Sequence, residues 1–433
     1  MDYKIAVIGS GISGLGASWA LAKNNFITLF EKDRRLGGHA NTVVIDVDGG
    51  TPIDTGFIVY NSANYPFLTA LFKHLDVDTL KSNMSFSISL DSKQFEYSSD
   101  LKNLIFDWSK FRNPRFRQLF KGLIKFYGTS LDCFENIDKF SLYEYLKMRR
   151  FDDQFIFDHI APMCSAIWSC SSDSIINSPA STFVSFFSNH QLAKLFGRPQ
   201  WRTVRGGSQE YIEKLIIDSE RLVVKTSTII SSVDREDNRI TINYNDGSRE
   251  TFDKLIFATH FDETLRLLNQ PSSQEREILA SFEYSKNRAV LHEDDREMPL
   301  DRNIWASWNF VQNQTGDHRS LTVSYWMNKL QRLSTKQQFF VTLNPANDIQ
   351  KVYYETEYTH PIFTRDNNKM KLKSINIQGF KNTWFCSACL GDGFHEDGLQ
   401  AGLWVAQKIC KKAPKLTDKK YTRLPLTYQN NQS

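Results

Sequence analysis

Cysteine is scarce in this chain: six residues (Cys133, Cys164, Cys170, Cys386, Cys389 and Cys410) among 433. That density excludes a disulfide framework. Cys386 and Cys389 form a CxxC, but no second pair stands at zinc-finger spacing, so no metal site is expected. A surplus of one charge sign is missing too. Lys and Arg number 53 against 49 Asp and Glu, a net +4 that gives no reason to expect a nucleic-acid partner. Nor is there a convincing membrane span. The uncharged run 5–22 holds Gly9, Gly11, Gly14 and Gly16 in a loop pattern, and run 174–193 is Ser/Asn-rich and broken by Pro179. Neither reads as a leader or a span, and a reduced, cytoplasmic setting is the expectation.

Aromatic residues are plentiful, with 32 Phe, 16 Tyr and 9 Trp. Such content suits large apolar cavities, although core packing also uses it. Apolar residues at 41% and charged residues at 24% are ordinary for a globular protein. The length allows two or three domains at roughly 100–200 residues each.

The chain opens as strand (3–8), glycine turn, helix (13–23) and strand (26–30), the last closing on Glu31. Residues 64–199 read as mainly helical and aromatic. Strands are expected at 222–224, 229–233, 240–244 and 254–258, with Asn245-Asp246-Gly247 as a hairpin turn between two of them. Residues 288–360 again look strand-rich, and 399–410 reads as a closing amphipathic helix. From Lys411 onward six basic residues stand against one Asp, and this tail is expected to fray.

Gly9-Ser10-Gly11-Ile12-Ser13-Gly14 is a GxGxxG directly after a strand and opening a helix. Its glycines allow a tight turn and close approach of backbone to a pyrophosphate at the helix N-terminus. Glu31, 22 residues past Gly9, stands where a carboxylate can accept from a ribose hydroxyl. The alternative, a chance glycine turn, leaves the order of strand, helix and acidic residue unexplained. No second GxGxxG follows, which argues against a reductase with two dinucleotide domains.

Past Glu31 run Leu36-Gly37-Gly38-His39-Ala40-Asn41-Thr42, Pro52-Ile53-Asp54-Thr55-Gly56, Gly206-Gly207-Ser208 and Gly393-Phe394-His395-Glu396-Asp397-Gly398-Leu399. With the opening motif, this series resembles the flavin amine oxidase superfamily over essentially the whole chain. The resemblance implies a Rossmann-type α/β FAD-binding domain interleaved with an α+β substrate domain. The flavin domain would comprise 1–70, 200–270 and 380–415, the substrate domain 71–199 and 271–379, and 416–433 a basic tail. The resemblance implies FAD contacts at Gly9, Gly11, Ile12, Ser13, Gly14, Glu31, Lys32, Gly37, Gly38, His39, Thr55, Gly56, Ile230, Gly391, Asp392, Glu396, Asp397, Gly398 and Leu399. His39 stands where amine oxidases usually have Arg. The stretch Phe385-Cys386-Ser387-Ala388-Cys389 lacks the acidic residue that usually holds the ribityl chain, so Asp392 is the expected substitute. No Cys sits in a covalent-flavin motif, and non-covalent FAD is expected.

Pro199-Gln200-Trp201-Arg202 and Thr342-Leu343-Asn344-Pro345 add a closer resemblance, to a bacterial subgroup of NAD/FAD-binding proteins. Its members are often encoded beside cyclopropane-fatty-acid-synthase-like methyltransferases. It implies dehydrogenation of methylated or unsaturated fatty acyl chains of phospholipid.

Glu396 and Asp397 fall at the start of the closing helix, where free N–H groups favour carboxylates. Gly398 removes a Cβ that would keep the helix from a ring system, and a helix N-terminus there would stabilise reduced flavin. His395, just outside the helix, is the acid–base candidate by position, with capping or packing as its alternative. His292 and Tyr325 are further catalytic candidates, and His260, Trp308 and Trp326 lie in segments that should reach the substrate. For each of these a buried structural role is the competing reading. Cys386 and Cys389 are read as packing rather than as a redox pair.

Residues 101–128 carry seven Lys or Arg against one Asp, with seven aromatics. Phe116, Leu119, Phe120, Leu123, Ile124 and Tyr127 repeat at helical spacing beside a stripe of Arg117, Lys121 and Lys125. Such a helix fits either peripheral contact with an anionic membrane or a helix packing its apolar face on the core. The expected activity is hydride transfer from an apolar C–H to flavin N5, with a phospholipid-borne fatty acyl chain as substrate. The rivals are an amine oxidase, an isoprenoid or carotenoid desaturase, and a non-catalytic flavoprotein scaffold for a neighbouring methyltransferase.

Overall fold

A computed structural model describes residues 2–99, 108–128, 137–168, 171–189, 197–236, 239–315, 318–418 and 424. Residues 101–107 of the basic stretch, most of the tail beyond 418, Cys133 and Cys170 lie outside them. The fold is α/β. Five parallel strands form one sheet in the order Leu222–Lys225, Phe26–Phe30, Lys4–Ile8, Lys254–Phe257, Thr383–Phe385. Ile5, Ala6, Val7, Leu255, Ile256 and Phe257 are fully buried, as continuous apolar runs in a parallel sheet should be.

The sheet is assembled from distant parts of the sequence, and the two ends of the chain meet across it. The helix Ile12–Ala22 packs against the helix His395–Ile409 at backbone distance. A Cβ on Gly402 would fall 2.1 Å from the Ser13 carbonyl oxygen, and one on Gly16 would fall 2.7 Å from the Leu399 side chain. The glycines of this pair are there to let the helices touch.

The second large sheet has seven strands, in the order Val352–Ile362, Glu283–His292, Phe340–Leu343, His318–Trp326, Trp308–Thr315, Phe86–Leu90, Phe95–Ser98. Helices between 114 and 189 cover one face of it through Phe116, Leu119, Phe126, Phe155, Phe183 and Phe187. The buried apolar residues accordingly fall into two main cores, one around the parallel sheet and one between this sheet and the helical layer.

The segment 64–199 is mainly helical, as expected, with short strands at Thr79–Lys81, Phe86–Leu90 and Phe95–Ser98. Their alternating polar and apolar residues join sheets through Trp201–Val204 and Trp308–Thr315, which lie more than a hundred residues further along. Two local expectations need correction. The Asp-Gly turn forms, with Gly247 at φ +81°, but it returns into Arg249–Phe252, while Lys254–Phe257 leaves for the parallel sheet. The closing helix begins at His395 rather than Leu399, so His395 is its first residue. Among the described residues no helix is long and apolar enough to cross a membrane.

Candidate active site

The site grows from the first glycine turn. Gly9 leaves its strand at φ +102°, and a Cβ there would lie 2.8 Å from the Ala258 carbonyl oxygen. A Cβ on Gly14 would lie 1.9 Å from the Gly9 carbonyl oxygen, so this glycine brings helix and turn together. Gly11 is different. It caps the helix in extended conformation, and nothing lies within 4 Å of where its Cβ would be. Gly38, at φ +57°, faces it, with a would-be Cβ 3.2 Å from the Gly11 Cα. Glu31 closes the turn, its Oε2 accepting from Ser10 N–H (3.0 Å) and Ser10 Oγ (2.5 Å). Two glycine turns, a clear helix N-terminus and a carboxylate at the next strand end fit a dinucleotide pyrophosphate and ribose.

Arg35 Nη1 donates to the Gly38 carbonyl (2.8 Å) and fixes the second turn. His39 follows it and stacks on Tyr358, with ring centroids 5.0 Å apart. His360 stands 5.2 Å and His260 6.4 Å from the His39 ring. Tyr358 and His360 share one face of a strand at i, i+2 spacing. Tyr358 Oη is held by Thr55 Oγ1 (2.8 Å) and Asn41 Nδ2 (3.1 Å). Gly56 lets the chain pass His39, where a Cβ would fall 2.1 Å from the His39 carbonyl oxygen.

Burial, then the imidazoles of His360, His260 and His395 and the Arg35 guanidinium, hold His39 well below the usual imidazole range. Burial, then His260, lowers His360 to about 4. Burial also lowers His260, against the pull of Glu263 and Asp262. The cluster is therefore neutral at physiological pH. The three residues are each partly exposed, and the space beside them and the glycine turns is here called the opening.

The closing helix meets the same opening. His395 lies flat on Phe57, with centroids 3.9 Å apart and planes 7° apart, and its Nε2 is 2.7 Å from Tyr211 Oη. Burial lowers its pKa to about 3. Glu396 turns away from the opening: its two oxygens accept the N–H groups of Phe67 and Leu68, both at 2.9 Å, capping the helix Pro66–His74. Asp397 accepts from the Phe394 N–H (2.8 Å) at the start of its own helix. Gly398 approaches a helix rather than a ring, since its Cβ would meet Ile12 (2.7 Å) and Ser13 (2.9 Å).

Other expected residues scatter. Lys32 Nζ pairs with Glu263 (2.5 Å), which raises the Lys32 pKa although burial opposes this. Ile230 opens the three-stranded antiparallel sheet Ile230–Glu236, Arg239–Tyr244, Arg249–Phe252. The turn at Gly391 and Asp392 is fastened by Lys371, whose Nζ donates to the Gly391 carbonyl (2.6 Å). Burial lowers the Lys371 pKa against Asp392, Cys389 and Asp397. Cys386 and Cys389 are buried, and burial raises both thiols, so both stay protonated.

His292 and Tyr325 are not brought to this opening. His292 is fully buried, with Nδ1 accepting from Asp294 N–H (3.0 Å) and Nε2 2.7 Å from Thr342 Oγ1. It sits eight residues along its strand from Tyr284, the residue stacked on His260, or roughly 26 Å. Tyr325 packs edge-on against Trp308 at 4.9 Å, three strands across the sheet from Tyr358, or roughly 14 Å. Sequence reading missed Phe57, Tyr211, Tyr358, His360 and Lys371, whose meeting depends on long-range packing that no local spacing announces.

The profile of the flavin-containing amine oxidoreductase family matches residues 12–328. The chain belongs to this family. It is an FAD-dependent oxidoreductase, and the two glycine turns with Glu31 form a cradle that fits FAD. Solved structures share the fold of this family member over nearly its whole length. A CLA-producing fatty acid isomerase from P. acnes is 17% identical, covering 95% of this chain and 98% of its own, with TM-score 0.66. Reduced UDP-galactopyranose mutase is 13% identical over 99% of this chain and 98% of its own, with TM-score 0.66. Cyclohexylamine oxidase from Brevibacterium oxydans IH-35A is 11% identical over 95% and 99%, with TM-score 0.64. Identities this low speak for the fold alone. No curated protein matches the chain in sequence.

Proposed function

We propose that the protein dehydrogenates a fatty acyl chain carried by a phospholipid. The observation behind this reading is the wall of the opening. Phe394, which caps the closing helix, stacks on Phe186 of the substrate-side core, with centroids 4.9 Å apart and planes 19° apart. On the other side Tyr358, of the same core, stacks on His39. The aromatic interior thus runs up to the cofactor cradle, lined there by neutral rings, a surrounding suited to a long apolar chain.

FAD, when bound, accepts a hydride at N5. The C–C bond oxidised loses that hydride from one carbon and a proton from its neighbour, leaving a double bond. The proton passes to water at the opening, since burial and its neighbours leave His39 too weak a base to hold it. His395, fixed between Phe57 and Tyr211, positions the start of the closing helix. A resemblance to proteins encoded beside lipid methyltransferases supports methyl-branched or unsaturated chains as substrates.

The test is a visible spectrum of the purified holoprotein before and after anaerobic addition of detergent-dispersed, methylated-acyl phospholipid. Flavin bands should bleach, and the recovered lipid should be two hydrogens lighter. Bands that persist with lipid but bleach with an amine or an isoprenoid overturn the substrate. Bands that no class of substrate bleaches leave the scaffold reading.

A further inference from the structure

The helix Pro114–Gly128 buries Phe116, Leu119, Leu123 and Phe126 in the substrate-side core, so its main apolar face is taken. Its basic side is not buried. Arg117, Lys121 and Lys125 recur every four residues along one stripe, where like charges repel each other. Gly122 lets the helix close on Phe155, a Cβ there falling 2.3 Å from its ring, which draws the segment 150–152 alongside. Together they enclose an open cleft of about 440 Å3, lined by Arg117, Lys121, Lys125, Arg150, Phe151 and Asp152 among others.

Two of the cations in the lining are held in place. Lys125 Nζ donates to the Arg150 carbonyl (2.7 Å) and lies 4.7 Å over the Phe151 ring. Arg117 donates to the carbonyls of Phe111 (2.7 Å) and Arg112 (3.2 Å). The one carboxylate in the lining, Asp152, is engaged in capping Gln154 N–H (2.8 Å). The lining therefore holds four cations and one carboxylate, with Arg117 and Lys125 anchored to backbone carbonyls. Beside them Ile124 is 60% and Met148 54% exposed, the first between Lys121 and Lys125, the second two residues before Arg150.

We propose that this cleft binds the phosphate of an anionic phospholipid headgroup at a membrane surface. The four cations match the phosphodiester and its anionic neighbours, and Ile124 and Met148 enter the acyl boundary. This deepens the acyl reading and rests on it, since docking here would present a lipid to the protein that oxidises its chain.

The experiment is co-sedimentation of the holoprotein with phosphatidylcholine vesicles, with and without phosphatidylglycerol. The wild type should bind only the anionic vesicles. At about fivefold per surface cation, Lys121→Glu with Arg150→Glu should lower partitioning about 25-fold or more. Ile124→Ser with Met148→Ser should weaken binding as well. All variants should keep their flavin and bleach as the wild type does with detergent-dispersed lipid. Equal binding by the Glu double variant, or no binding by the wild type, overturns the proposal. Inorganic phosphate binding in the cleft without vesicle binding overturns it in favour of a soluble phosphorylated ligand. Vesicle binding without bleaching by any lipid leaves docking standing and removes the acyl substrate, so the two readings fail separately.

Discussion

Glu396 caps a helix other than its own: its carboxylate accepts the backbone N–H of Phe67 at 2.9 Å across 329 positions of sequence. The same side chain takes the Leu68 N–H at 2.9 Å and receives a third bond from Gln400 Nε2 (2.9 Å). One buried residue therefore fastens the helix Pro66–His74 to the start of the closing helix.

Glu396→Ala leaves two buried helix-terminal N–H groups without an acceptor and should cost about 2 to 3 kcal/mol. Glu396→Gln keeps one accepting oxygen and should cost about half as much. Thermal melts of the two variants beside the wild type give the comparison. Equal melting temperatures would mean that water replaces the carboxylate.

The glycines of the first turn should separate cofactor binding from folding. Gly11→Val puts its Cβ where nothing in the protein lies within 4 Å, so its circular dichroism should match the wild type, yet its side chain fills the cradle and the yellow colour should go. Gly14→Ala instead pushes a methyl to 1.9 Å from the Gly9 carbonyl oxygen and should destabilise the fold by at least about 3 kcal/mol. A yellow Gly11→Val protein would remove the cofactor from this turn.

Acid should weaken the fold through the histidine cluster. An unfolded imidazole titrates near 6.5, whereas burial and then His260 hold His360 at about 4 in the folded protein. A group depressed by folding contributes its full stability above pH 6.5 and loses it as pH falls towards 4. Melting temperature should fall across that window, and His360→Gln should flatten the fall. A wild-type curve level from pH 7 to 4 contradicts a neutral buried cluster.

The opening of the fold was legible because its signals are local. Gly9 to Gly14, Glu31 and the run 26–30 lie within one strand–turn–helix–strand unit, and each residue's task follows from its neighbours. The histidine cluster was not legible as a cluster. His39 and His260 are 221 positions apart and His260 and His360 100 apart, and only long-range packing brings their rings together. The closing motif was half legible. Its acidic residues do satisfy helix N-termini, but one of the two serves a helix that sequence spacing could not pair with it. Gly398 likewise answers to Ile12 and Ser13, partners invisible from position 398. The strands within residues 79–98 were not legible because Thr79–Lys81 pairs with Trp201–Val204 and Phe86–Leu90 with Trp308–Thr315, partners that local spacing cannot point to.

The contact of Gly402 with Ser13 also sets an order of events during biosynthesis. The nucleotide turn emerges from the ribosome within the first few dozen residues, but the helix that backs it emerges only after some 390 more. Until then the first helix has an uncovered apolar side and the parallel sheet lacks an edge strand. Nascent chains therefore pass most of their synthesis with the cradle spelled out and unsupported. A chain interrupted before His395 lacks the surface that covers the helix Ile12–Ala22 behind the glycine turn.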